Sequence, residues 1–381
     1  DGNKLSKLKD NPETASRYHS DWLSMIYPRL KLARNLLNKE GVIFISIDDN
    51  EVDNLRKLCD EIFGEHNFQG IFVVNSTPNA RDYGHIGKMH EYTLMYSKDN
   101  MHCVTYQLPE KDKVFKYSDE SGGFNIHPLY NSNEAFNDKN RPNLFYPFYL
   151  DPKKAIGEDF FSISLNKTEG AIEVPPPKSV KNGVQFVWRW GKEKAQKNLD
   201  KEIIGYRTND GEYRIVQKMR HTSKIIRSLL VDKKYSSRKG TAEVEKLFGA
   251  KIFSFPKPLS LLKDFVVAST REGDIILDFF AGSATTAHSI FSSTIEDKEQ
   301  RKFILVQIPE PLDSSKKDST GKTYNNLSEF AIARIKKASQ ELSAASENDF
   351  DFGFRMYRLD KSNMQDVYYK PQDYDQGNLD L

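Results

Sequence analysis

Cysteine is nearly missing from this chain: Cys59 and Cys103 are the two in 381 residues. Two thiols are too few for a disulfide framework or a zinc site. Structural thiols in a reducing cytoplasm are expected, and no metal. Long apolar runs are also missing. None approaches the ~18–20 residues that would cross a membrane, and no secretory signal is visible. An overall excess of one charge is absent too, since 56 Lys and Arg face 54 Asp and Glu. No internal repeat is visible. The mean hydropathy of −0.65 describes a soluble globular chain. Its length allows a full core and two lobes. The first Met is Met25, so the natural protein is expected to continue upstream of Asp1.

The balanced total hides a local imbalance. Residues 178–246 hold 18 Lys and Arg against 8 Asp and Glu. Much surface charge is simply solvated. An aromatic-containing, loop-rich segment with this excess points instead toward phosphate and nucleic acid. Lys192, Lys194, Lys197, Arg220 and Lys224 are the candidate nucleic-acid contacts.

The spacing predicts a helix over 21–38, a buried parallel strand over 42–47, a helix over 51–63 and strands over 71–75 and 92–97. Residues 1–98 therefore read as α/β. Residues 99–250 change character. The run Pro175-Pro176-Pro177, scattered aromatics and short alternating pieces indicate an inserted mixed domain. The α/β pattern returns over 251–360, with helices over 259–269 and 327–342 and strands over 274–278, 303–308 and 352–359. Residues 361–381 read as a tail or the start of a further segment. The two α/β blocks read as one sheet interrupted by the insert.

The most informative run is Asp278-Phe279-Phe280-Ala281-Gly282-Ser283-Ala284-Thr285-Thr286. An acidic residue leaves a strand, a glycine turns, and small or hydroxyl residues open a helix. Backbone approached closely at Gly282, with free N–H groups at a helix start, suits a nucleotide-like cofactor. An ordinary tight strand–helix turn would look the same, and the G-x-G-x-x-G of a nicotinamide dehydrogenase is absent. The neighbours add weight. Lys257 and Pro258 lead into the helix over 259–269, and Lys257 could pair with a cofactor carboxylate. Gln307 and Glu310 close the next strand, where a ribose diol is held in α/β cofactor folds.

Beyond this turn, several runs occur in a family's order: Ser16-Arg17-Tyr18-His19-Ser20-Asp21-Trp22-Leu23, residues 41–51, His90-Glu91-Tyr92, Trp188-Arg189-Trp190, Gly240-Thr241, Phe255-Pro256-Lys257-Pro258, Arg301 to Gln307 and Phe352-Gly353-Phe354-Arg355. Over nearly its whole length the chain resembles the modification subunit of type III restriction–modification systems. These are β-group, S-adenosylmethionine-dependent, N6-adenine DNA methyltransferases.

The resemblance implies a Rossmann-like, permuted methyltransferase sheet with a target-recognition insert at 99–250. It implies S-adenosylmethionine as cofactor, double-stranded DNA as substrate, and a restriction subunit and self-association as partners. Cofactor contacts would come from Lys257, Pro258, Asp278, Phe279, Phe280, Gly282, Ser283, Ala284, Thr285, Gln307 and Glu310. Ala284 stands where the family's F-x-G-x-G motif has its second glycine. Gln307 stands where the wider superfamily has an acidic ribose ligand, a role Glu310 could take instead. The catalytic D-P-P-Y motif is absent, so no catalytic residue is assigned and this chain alone is expected to be inactive. Its strand would belong in the centre of the sheet, between the strands at 42–47 and 274–278. The alternative is a non-catalytic DNA-binding or assembly subunit, or half of a split methyltransferase.

Overall fold

The computed structural model describes residues 19–79, 85–110, 113–313, 315–347 and 349–360. Ser16, Arg17 and Tyr18 of the first motif, and the expected tail over 361–381, lie outside them. Two compact units result: Asp1–Tyr106 with Arg227–Leu381, and Gln107–Ile226.

In chain order the first segment holds α1 (Ser20–Leu36), β1 (Val42–Ile47), α2 (Val52–Phe63), β2 (Phe68–Val74) and β3 (Glu91–Ser97). The middle unit holds β4 (Tyr117–Asp119), β5 (Gly122–Pro128), β6 (Phe148–Ala155), β7 (Phe160–Ser164), β8 (Ile172–Val174), α3 (Lys192–Asn198), β9 (Ile203–Arg207) and β10 (Tyr213–Met219). The last segment holds β11 (Leu229–Leu230), α4 (Ser237–Phe248), α5 (Leu259–Ser269), β12 (Ile275–Asp278), α6 (Thr285–Asp297), β13 (Lys302–Leu305) and α7 (Leu327–Ala345).

Helical spacing builds the first layer. Ile26, Leu30 and Ala33 line one face of α1, and Leu55, Cys59 and Phe63 one face of α2. Most of them meet Leu94 and Tyr96 of β3 in one cluster. The sheet order is β1-β3-β2-β11. β1 was expected to be a buried parallel strand. It is instead a half-buried strand antiparallel to β3, and its other edge has no partner among the described residues.

β12 and β13 form a separate parallel pair, with Ile275 opposite Lys302 and Asp278 opposite Leu305. Phe303 and Leu305 turn toward α6 and α7, against Phe291, Ile335 and Ala338. The opposite side is bare: Ile275 is 62% exposed, Ile304 54%, and Val306 and Ile308 are also exposed. The two α/β segments thus form two sheets where one was expected, because among the described residues no strand pairs with the free edges of β1 and β12. α5 ties them together. Its Phe265 ring stacks on Phe44 of β1 at 4.5 Å, and its Lys263 pairs with Glu296 of α6.

Two further expectations change. Residues 352–359 form no strand; Phe352 instead buries its ring edge-on to Phe291 at 5.3 Å. The insert expected over 99–250 is compact over 107–226. Residues 227–250 leave it because β11 pairs with β2 and Phe248 of α4 packs on Phe330 of α7.

The middle unit is a seven-stranded antiparallel sheet in the order β8-β6-β7-β9-β10-β5-β4. Phe148, Leu150, Ile163, Ile203 and Ile215 form its core with Trp188. Trp188 Nε1 donates to the Tyr146 carbonyl at 2.6 Å, so the buried indole leaves no donor unpaired.

Candidate cofactor site and basic surface

β12 ends at Asp278, and the chain turns through 279–284 before α6 begins. Asp278 organises the turn. One carboxylate oxygen accepts the Phe280 N–H at 3.1 Å and the other the Thr286 hydroxyl at 2.5 Å. The Ala281 N–H donates to the Val306 carbonyl at 3.1 Å, which seats the turn on the end of β13. Gln307 Oε1 accepts the Gly282 N–H at 2.6 Å, and its Nε2 donates to the Ile308 carbonyl at 3.0 Å. Gln307 therefore holds the turn through its amide oxygen, while its amide nitrogen is tied to its own strand end. Among the described residues the Glu310 carboxylate makes no hydrogen bond or ion pair, leaving it the acidic group available at this strand end.

Gly282 sits at φ +53, where glycine alone carries no steric penalty. A Cβ added there would meet only the Phe280 carbonyl oxygen, at 3.8 Å, so that side of the turn is open. The Phe280 ring is 53% exposed beside it. Ala284 is also left-handed, at φ +58 and ψ +36, and is fully buried. The departure from the glycine that the resemblance implies here is thus a matter of backbone conformation as well as of an added methyl. An L-residue there costs about 1–2 kcal/mol.

The segment before α5 is built as tightly. Phe255 is a second non-glycine residue at positive φ, +60. Strained backbone of this kind clusters at ligand sites. Gly240 of α4 lies directly against it, since a Cβ there would fall 2.2 Å from the Pro256 carbonyl oxygen. Lys257 is paired with Glu91, the first residue of β3. Pro258 caps α5, whose Leu259 N–H donates to Glu243 Oε2 at 2.8 Å.

Sequence reasoning missed Arg334 and Glu243. Arg334 of α7 is buried beneath the turn, and its Nη1 donates to Ser283 Oγ at 2.9 Å and Thr285 Oγ1 at 2.6 Å. The signal was legible: Phe330, Arg334 and Ala338 are four residues apart, which puts a charge in the middle of an apolar stripe.

In the middle unit Lys192, Lys194 and Lys197 are exposed on α3. The Lys194 ammonium lies 4.1 Å from the Trp190 ring centroid and Lys192 5.6 Å from that of Tyr146. Lys192 also lines an open groove of about 500 Å³ with Tyr146 and Tyr149. Arg220 differs from the expected free phosphate contact. Its guanidinium pairs with Asp119 at 2.5 Å and Glu202 at 3.2 Å, and its side chain is 19% exposed. Together with Lys218 it holds the Asp119 carboxyl well below the usual range. Lys224 pairs with Glu110 at 3.1 Å.

Residues 5–311 match the N6_N4_Mtase family, DNA methylase. The chain belongs to this family. It is 32% identical over 364 residues to the type III EcoPI Mod subunit of Escherichia phage P1, covering 93% of this chain and 55% of that protein. It is 31% identical over 365 residues to the type II methyltransferase M.KpnI of Klebsiella pneumoniae, covering 94% of this chain and 82% of that protein. The type III StyLTI Mod subunit of Salmonella typhimurium is 29% identical, with 93% and 51% covered. The resemblance to type III modification subunits therefore holds over most of the chain. The chain spans about half the length of the type III subunits it matches.

Proposed function

We propose that this chain is the S-adenosylmethionine-holding and DNA-reading part of a site-specific DNA methyltransferase acting on adenine N6. The observation that carries the reading is the turn after β12: an open left-handed Gly282, an exposed Phe280 ring and a helix start, with Glu310 three residues past Gln307, which bonds the turn. The residues present fit the cofactor. Phe280 offers a flat apolar face for adenine, Glu310 a carboxylate for the ribose hydroxyls, and Lys257 and Glu91 a cation and an anion for a zwitterionic amino acid. Gln307 is committed to the turn, which favours Glu310 over it as the ribose ligand.

When bound, S-adenosylmethionine supplies an electrophilic methyl group. The work of the chain is positional. Asp278 and Gln307 hold the turn, Gly282 leaves room for close approach, and the Pro258 cap directs α5. The lysines of α3 hold phosphates without reading bases. Extruding the adenine and accepting its N6 hydrogens require the D-P-P-Y segment, which these 381 residues lack. The edges of β1 and β12 that are unpaired among the described residues support a strand from that segment completing the sheet, because an open edge presents a row of unpaired N–H and C=O groups. A restriction subunit and self-association belong to the same reading.

Calorimetry with S-adenosylmethionine tests the proposal, paired with methyl transfer to DNA when a D-P-P-Y-bearing segment is supplied. Cofactor binding by the chain, and transfer only with the segment, are expected. No binding and no transfer would favour the alternative, a DNA-binding or assembly subunit without catalysis.

A further inference from the structure

Arg334 occupies the centre of the apolar stripe of α7 and is fully buried. A guanidinium there opposes folding unless acceptors meet it. They meet it in part. Nη1 serves the Ser283 and Thr285 hydroxyls, while Nε and Nη2 have no hydrogen-bond partner among the described residues. Glu243 favours its charge without bonding to it, and that carboxylate is engaged with the Leu259 N–H. Burial draws the Arg334 pKa down to about 10, which leaves it charged at neutral pH.

The two hydroxyls flank Ala284, the buried left-handed residue that opens α6. An L-residue in that conformation relaxes unless its surroundings over-determine it. A single nitrogen donating to the side chains on both sides is such a constraint. The Ala284 N–H closes the same turn by donating to the Ala281 carbonyl at 2.7 Å.

We propose that Arg334 is a positioning residue for the cofactor turn: its bridge between Ser283 and Thr285 holds Ala284 left-handed and so fixes the backbone that the cofactor approaches. The inference rests on the cofactor reading above. It also explains how this chain keeps alanine where the resemblance implies a glycine. The constraint that glycine makes unnecessary is supplied from α7.

The test is a double-mutant cycle on the full chain, with S-adenosylmethionine affinity read by calorimetry. Arg334→Met should weaken binding by about tenfold or more. Ala284→Gly combined with Arg334→Met should recover most of that loss, because glycine takes the left-handed conformation freely. A role in core packing alone would leave the double variant as weak as Arg334→Met, and that result overturns the proposal. Should Arg334→Met fail to fold, Arg334→Lys carries the same cycle, since lysine keeps the charge but replaces the fixed fork with a single flexible ammonium. Hydrogen exchange at the Ala284 amide in the ligand-free chain separates the two readings. If the unsubstituted chain binds no S-adenosylmethionine, the cofactor reading fails. Faster exchange at Ala284 in the variant then still supports the bridge, and unchanged exchange overturns it.

Discussion

The cofactor turn and the α3 surface put polar groups to opposite uses. In the turn the polar side chains are committed to partners: Asp278 accepts twice, Gln307 bonds at both ends, and one arginine nitrogen serves two hydroxyls. On α3 the ammonium groups of Lys192, Lys194 and Lys197 remain exposed, two of them resting over aromatic rings. A site for one small molecule demands fixed geometry. A surface for a polyanion needs only charge that can shed counterions. The two regions should therefore fail independently and by different physics.

Gly282→Val gives the largest effect and breaks the comparison on one side. Valine pays the left-handed penalty at φ +53 and fills the open side of the turn. Cofactor affinity should fall by about 100-fold or more, of which about 1–2 kcal/mol is backbone strain alone. Calorimetry reads the loss. DNA affinity and its salt dependence should not move, and a parallel loss of DNA binding would show that the two regions are not separable.

The complementary substitution is Lys192→Glu with Lys194→Glu and Lys197→Glu. The slope of log K against log salt should become shallower by roughly 0.9 for each phosphate contact removed. A salt titration of DNA binding checks it, with cofactor affinity as the control. Arg220→Ala should behave differently. It strips Asp119 and Glu202 of a partner, so lower stability rather than a changed salt slope is the expected result.

Local periodicity made much of the fold legible. α5 begins and ends where the apolar spacing puts it, and the strand–turn–helix around Gly282 is present as read. What was not legible depends on neighbours. The apolar run of β1 suits a parallel strand, but pairing direction is set by β3, a hairpin partner of β2 some 45 residues later. Residues 352–359 carry strand-like residues, yet no ladder forms there and the Phe352 ring packs edge-on against Phe291. The site followed the same division. Gly282 and Glu310 stood out by residue type. The left-handed Ala284 and the role of Gln307 in the turn did not, because neither a dihedral angle nor a hydrogen bond across 25 positions is written in residue type.

His288 sharpens the comparison from beneath the turn, with the smallest effect. It lies on α6, buried, with Nδ1 unpartnered among the described residues. Burial, reinforced by Arg334 and then Lys246, draws its pKa down to about 3 from the usual 6.5. The folded chain therefore holds it neutral. As pH falls below about 6.5 the unfolded chain takes up a proton that the folded chain refuses until about pH 3. Stability must drop through that window, by up to about 1.4 kcal/mol per pH unit for one proton. His288→Leu removes that contribution. Urea unfolding at pH 7 and pH 5 should show a smaller loss of stability in the variant than in the parent. Equal losses would mean that His288 reaches a proton donor or water in the folded state, and that the cation under the turn is less isolated than its unpartnered nitrogens indicate.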